Sequence, residues 1–313
     1  MIGIAGSRAD PVLLHFATRC VVAGVPFADI DLVEATDRGA WDIVVPAGAA
    51  DWITGAEEVG LEDLTGLYVR PIFLGTTARH RVRWAGLLEG LNTWMDETDV
   101  TVVNRPGGHQ LNSYKPAHYA WLEANGLRVP PSLLTMDPAR VKAFLADGRT
   151  VVKPVSGVRA TTQEITVNDL DRLAGSDCPV VVQRLIEGDD VRAHVVGDSV
   201  FAARFRSRTI DYRKDRTAER EMIRLPDKLN ELLIRGTADQ GLLFAGWDFK
   251  VDSDGTYWCL ECNPMPGYSH YDRVCEYTSA TRSWHCFGSA EPIDRRSYRW
   301  RPFPSAGRSR FHG

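Results

Sequence analysis

The chain has 313 residues, 44% of them hydrophobic and 25% charged, with a net charge of -4. That is the profile of a globular chain long enough for two or three subdomains. It excludes a global electrostatic pull toward nucleic acid or an anionic membrane, and no apolar run approaches the roughly 20 residues of a membrane span.

MIGIAGSRADP has neither a basic start nor a long apolar stretch, so no signal peptide is expected and the expected setting is cytoplasmic. MIGIAGS predicts a strand and a Gly turn, and Asp10-Pro11 the cap and first residue of a helix through PVLLHFATRCVVAG. FADIDLV, WDIVVPA and LYVRPIFL predict strands, and a helix follows from about Arg79 to Met95. No G-x-G-x-x-G occurs, and no dinucleotide site is expected here. This α/β pattern defines an N-terminal domain over 1–105.

A central lobe is expected over 106–186. VTVVNRP enters it as a strand, NSYKPAHYAWLEANG is a helix with a Gly exit, and RVPPSLLT is extended. DPARVKAFLADG is a helix capped by Asp137, and RTVVKPVSGVRATTQEIT is two strands around a loop. CPVVVQRLI closes the lobe. A C-terminal lobe over 187–281 holds the strands DVRAHVVGD and SVFAARFRSR, the helix DKLNELLIRGTADQG, and a hairpin over 245–263 turning at Asp254-Gly255. The tail over 282–313 carries seven arginines and little periodicity, and reads as a weakly ordered extension. Cys20, Cys178, Cys259, Cys262, Cys275 and Cys286 have no zinc-finger spacing; Cys259 and Cys262, inside a strand, read as structural.

Four stretches carry chemistry. Lys153 ends a strand before Pro154, Ser156 and Gly157, an arrangement that suits polyphosphate, though a lysine before a turn is also an ordinary surface residue. VVVQRLIEGDD offers Gln183, then Glu187, Asp189 and Asp190. Such a segment reads an adenine edge and ribose hydroxyls, or is simply a strand running into an acidic turn. Arg204, Arg206 and Arg208 share one strand face with Arg213 beyond, which requires an anion, carboxylates or solvent to relieve the repulsion. In the hairpin, pairing Asp252 with Tyr257 sets Asp248 opposite Glu261, and alternation puts Asn263 on the same face. Like charges so placed repel, and these hard oxygens are of the kind Mg²⁺ takes.

Taken in order, VVNRPGG, LNSYKPAHYAWLEANGLRVPPSLLT, VVKPVSG, VVQRLIEGDDVRAHVVGD, DYR and AGWDFK…CLECNPMPGYSHYD resemble the ATP-grasp superfamily. The likeness is to the branch of ribosomal-protein glutamate ligases and graspetide (microviridin-type) synthetases, over roughly 67–272. It implies an ATP-grasp fold, α/β then α+β, with an N-terminal pre-ATP-grasp domain. It further implies ATP and Mg²⁺ (or Mn²⁺) as cofactors. Asp248, Glu261 and Asn263 would be metal ligands, and Lys115 and Lys153 the two lysines that contact the phosphates and the adenine pocket. Gln183, Arg184, Leu185 and Ile186 would form the adenine hinge, and Glu187 or Asp190 the ribose acceptor. Arg206 and Arg213 would stand near the transferred phosphate and the substrate carboxylate. The implied activity joins a carboxylate, through an acyl phosphate, to an amine or hydroxyl. The expected partner is a peptide or protein with Asp or Glu side chains, not nucleic acid or membrane, and a homodimer is compatible with this. Two other readings stand beside it: a free-standing dipeptide ligase and a non-catalytic ATP-binding regulator.

Overall fold

The computed structural model describes residues 1–39, 41–44, 50–54, 57–72, 78–155, 162–174, 179–215 and 217–274. The Gly157 loop, Cys178, Cys275, Cys286 and the basic tail lie outside these residues.

The first part runs β1 (Ile2–Gly6), α1 (Pro11–Ala23), β2 (Phe27–Asp31), α2 (Leu32–Arg38), β3 (Trp41–Ile43), β4 (Ala50–Thr54), β5 (Glu57–Gly60), β6 (Gly66–Arg70), α3 (Ala78–Glu97) and β7 (Thr101–Val103). A parallel sheet of order β2-β1-β6-β7 forms here beside an antiparallel β3-β4-β5 sheet. Asp10 caps α1 as expected, its carboxylate accepting from Val12 N at 2.8 Å. The strand expected through FADIDLV stops early. Asp31 Oδ1 accepts from Val33 N at 2.9 Å and Glu34 N at 3.1 Å, so this residue ends β2 and opens a helix.

The middle part runs α4 (Gln110–Ser113), α5 (Lys115–Ala124), β8 (Ser132–Thr135), α6 (Pro138–Ala146), β9 (Thr150–Pro154), β10 (Gln163–Ile165), α7 (Leu170–Ala174) and β11 (Val180–Arg184), with an antiparallel sheet of order β10-β9-β11-β8. The last part runs β12 (Asp189–Val196), β13 (Ser199–Arg206), β14 (Glu219–Ile223), α8 (Asp227–Asp239), β15 (Phe244–Val251), β16 (Tyr257–Asn263) and α9 (Ser269–Val274). Its sheet has the order β14-β13-β12-β15-β16. The mixed architecture matches the expected α/β then α+β sequence; α2, α7, α9, β4, β5 and β14 were not anticipated.

One face of this last sheet is apolar. Val191, Ala193, Val195, Trp247, Phe249, Cys259 and Cys262 pack there with Leu122 and Leu233. Trp247 is fully buried, and its indole N–H donates to Thr237 Oγ1 at 3.0 Å, so the polar edge of the ring is satisfied. Cys20, Cys259 and Cys262 are free, buried thiols, which agrees with the structural reading of the C-x-x-C pair.

The parallel sheet is stitched to the last one through buried polar groups. Asn104 Nδ2 donates to the carbonyls of Phe244 and Pro264, both at 2.6 Å. Its Oδ1 accepts from Leu243 N at 2.9 Å and Phe244 N at 3.1 Å. Arg70, buried at the end of β6, donates to Asp10 at 2.7 Å and to Pro266 O at 2.9 Å. The crevice at the C-terminal ends of β1 and β6, where open α/β sheets bind ligands, is thus filled by the segment after β16. Among the described residues, no helix is long and apolar enough to cross a membrane.

Candidate active site

The polar face of the last sheet carries the candidate site. In the hairpin, Val251 pairs with Tyr257, Lys250 with Trp258 and Phe249 with Cys259, after which the register shifts and Asp248 pairs with Glu261. The Asp252–Tyr257 pairing assumed from the sequence does not form; the strand is one residue out of that register. A bulge at Leu260 restores it. Without the extra residue, Glu261 would lie opposite Trp247 and point into the apolar core. With it, Cys259 and Cys262 both face the core, while Glu261 joins Asp248 and Asn263 lies opposite Gly246.

β16 is an edge strand, and its free edge is covered rather than left to solvent. Asn112 of α4 donates to Cys262 O at 2.6 Å, and His118 of α5 accepts from Cys262 N at 2.9 Å. Accepting at Nε2 requires a neutral ring. Burial, with Lys115 nearby, lowers the His118 pKa to about 4 and keeps it so.

The oxygens differ in how they are engaged. Asp248 pairs through Oδ2 with the Arg192 guanidinium, and burial pushes its pKa up to about 6 with Glu261 adding to the rise. Asn263 Oδ1 accepts from Met265 N at 2.8 Å. The Glu261 side chain makes no hydrogen bond or ion pair among the described residues. Each residue keeps an oxygen lone pair for a cation, and a set of two carboxylates and one amide fits Mg²⁺, which takes few protein ligands and leaves the rest to water and phosphate. No cluster of three or more His, Cys, Asp or Glu able to hold a metal occurs among the described residues; this set has two carboxylates.

Facing these oxygens is the sheet of β9 and β11. Lys153 Nζ donates to Gln183 Oε1 at 2.7 Å, and Gln183 Nε2 donates to Ser132 Oγ at 2.8 Å. Burial lowers the Lys153 pKa, opposed by Glu261 and Asp248 and reinforced by Lys115 and Arg213. Lys115 stands at the first turn of α5. The ammonium is therefore central to a constellation of both carboxylates and two further cations.

Not all the expected residues gather there. Arg206 does not: Val191 pairs with Arg204, so Arg204 and Arg206 lie on the face opposite Asp248. Both are compensated by carboxylates, chiefly Glu221, which accepts from Arg206 at 2.7 Å, and Asp189 at 3.6 Å. Glu221 belongs to β14, a strand the sequence did not reveal; Arg208 lies beyond the end of β13. Arg184 turns its side chain away, onto Thr150 Oγ1 at 3.1 Å, Phe144 O at 3.0 Å and the Phe144 ring. The Arg184 and Leu185 N–H groups are bonded to Pro131 O and Arg149 O, whereas Ile186 N–H has no backbone acceptor among the described residues. Of the two ribose candidates, Asp190 is buried against Lys250 at 2.8 Å, its pKa pushed up to about 6 by burial, and Glu187 is exposed and paired with Arg149.

Arg213 does approach. It sits in a 3-10 turn, Tyr212–Lys214, bonded to Asp211 at 2.7 Å and in electrostatic reach of Asp248 and Lys153. Sequence reasoning missed Arg192. Alternation of Asp190, Arg192 and His194 along β12 was its only signal, and their common face shows only once β12 is paired with β15.

Residues 117–282 match the RimK-like ATP-grasp domain family. The chain belongs to that family, and its class is that of ATP-dependent, bond-forming ligases. No curated protein matches it. Among solved structures it is similar to the ATP-grasp ligase PsnB complexed with minimal precursor, with a TM-score of 0.73 and 25% identity over 91% of this chain and 98% of that one. The complex of PsnB with minimal precursor, Mg and ADP gives a TM-score of 0.71 and 26% identity over 92% and 98%. The fold is also similar to that of a Chryseobacterium gregarium RiPP-associated ATP-grasp ligase, with a TM-score of 0.77 and 17% identity over 94% and 98%.

Proposed function

We propose that this ligase uses MgATP to activate side-chain carboxylates of a precursor peptide and joins them to an amine or hydroxyl of that peptide. The similarity to PsnB along nearly the whole of both chains carries this reading, because that ligase is described with a precursor, Mg and ADP. The arrangement of the site supports it.

Asp248, Glu261 and Asn263 would hold Mg²⁺, which when bound neutralises phosphate charge. Lys153, fixed by Gln183, and Lys115 offset the charge of the phosphates. Ile186 N–H and the neighbouring hinge backbone read the adenine edge. Arg213, whose planar fork matches a carboxylate, holds the Asp or Glu side chain that attacks the terminal phosphate. ADP leaves as the acyl phosphate forms, and the acceptor amine or hydroxyl then attacks the acyl carbon, losing its proton and displacing inorganic phosphate. No covalent protein nucleophile takes part, and catalysis rests on positioning and charge.

The test incubates the protein with MgATP and a short acidic peptide encoded beside its gene, and separately with mixed free amino acids. The peptide is expected to lose the mass of one water per bond while one phosphate is released. Phosphate release driven by free amino acids alone would overturn the peptide reading in favour of a dipeptide ligase.

A further inference from the structure

Arg192 has a place that the ligand set does not explain. It is 5% exposed, lies in the middle strand of the last sheet and is paired with Asp248. Its guanidinium carbon stands 5.8 Å from the centre of the Tyr271 ring, on α9, and its Nε contacts His194 Nε2 at 3.3 Å. The room it occupies is made by Gly246: a Cβ there would come within 2.3 Å of Arg192 Nη2 and 2.6 Å of Pro266. The hydroxyl of Tyr271 bonds that of Tyr212, the residue before Arg213, and Tyr212 stacks on Phe205 with ring centres 4.6 Å apart. A chain of direct contacts therefore runs Asp248–Arg192–Tyr271–Tyr212 and ends beside Arg213.

Burying a cation is costly unless it is paired. An arginine used only to neutralise Asp248 would not need a glycine cleared for it and an aromatic ring set over it. From this geometry we infer that Arg192 is a positioning residue with two outputs. It holds Asp248 by one carboxylate oxygen so that the other faces the cation, and through Tyr271 and Tyr212 it fixes the turn that aims Arg213 at the substrate carboxylate. Metal grip and substrate grip are thus set from one buried guanidinium. This rests on the function proposed above.

The test reads binding as well as turnover. Arg192→Lys keeps the charge but loses the planar fork. ADP binding is followed by calorimetry while Mg²⁺ is varied, with a thermal melt to establish folding. The Mg²⁺ concentration for half-maximal enhancement is expected to rise about tenfold or more, the loss of one charge-assisted hydrogen bond, while Mg²⁺-free ADP affinity stays near wild type. An unchanged Mg²⁺ requirement in folded Arg192→Lys would overturn the first output. For the second, Tyr212→Phe and Tyr271→Phe each keep the ring and remove one partner of the same bond. Each is expected to raise the peptide KM with kcat and the Mg²⁺ requirement little changed, and the double variant to match either single one. Additive effects, or no effect on KM, would overturn it. Failure of the wild-type protein to bind ADP with Mg²⁺ would instead sink the proposed function, a result distinct from either.

Discussion

The Lys153 ammonium donates to the Gln183 side-chain carbonyl at 2.7 Å, across a ladder that pairs Lys153 with Val181 and Val151 with Gln183. The two side chains are diagonal neighbours on one face, and Gln183, 1% exposed, is held at its other end by Ser132. A fully buried amide thereby fixes the one end of a flexible side chain that faces Glu261 and Asp248.

Lys153→Met removes the charge and keeps the stem. Hydrogen bonds to charged groups contribute about 1.5–3 kcal/mol, so ADP affinity should fall about ten- to hundredfold by calorimetry. Gln183→Leu should weaken binding in the same direction, since it frees the ammonium. Unaltered affinity in Lys153→Met would take that lysine out of the nucleotide site.

Glu261→Gln should spare the fold and stop the chemistry. The carboxylate has no hydrogen-bond partner among the described residues, so the melt should shift by less than about 1 kcal/mol of stability. Turnover should fall by about 10²–10³, the scale for losing one electrostatic contact made to a transition state. Phosphate release at the wild-type rate would remove Glu261 from the metal site.

The two arginines named together from the sequence should now behave differently. Arg213→Ala should lower peptide ligation about ten- to hundredfold, as one lost charge-assisted contact would. Arg206→Ala should leave ligation near wild type and cost at most about 1 kcal/mol, as exposed ion pairs do. Equal losses of activity would contradict the assignment of Arg206 to the far face.

Acid should loosen the protein partly through His118. Its folded pKa is lowered to about 4, beneath the ordinary value of 6.5, so between the two the unfolded chain binds more protons and stability rises with pH. That contribution is complete above the unfolded value and lost as pH falls toward about 4. Asp190 and Asp248, pushed up to about 6, act in the opposite sense, theirs being lost as pH rises through that value. The difference between wild type and His118→Gln, whose carbonyl can still accept from Cys262 N, isolates the histidine. Urea midpoints should show the wild type losing more than the variant between pH 6.5 and 4; parallel curves would mean that His118 is not held neutral.

Much of this was legible, but not always for the reason the residues suggested. The Asp254-Gly255 turn and strand alternation led to Asp248 opposite Glu261, although the assumed register was one residue off and the Leu260 bulge made up the difference. The clue to the bulge was present: Cys259 and Cys262, three apart in a strand, can both face the same core only if a residue is inserted between them. That Arg206 lies on the far face, against Glu221, could not be read from the sequence, because β14, five residues of mostly exposed and charged side chains, has no apolar alternation to betray it. Arg192 could not be found from β12 alone, since seven consecutive buried positions hide which face is the polar one. Pairing between distant strands, not local pattern, settles such questions.

Asn104 has a consequence for how the chain can be divided. The sequence changes texture at about residue 105, where an engineer seeking fragments would cut. Yet this one amide closes four hydrogen bonds onto Leu243, Phe244 and Pro264. Severing there would strand two backbone donors and two carbonyls on the larger piece, at about 1–3 kcal/mol for each group left unpaired in the interior. Neither piece is a finished part: the first hundred residues act as a keystone for the strands that bear the acidic hairpin.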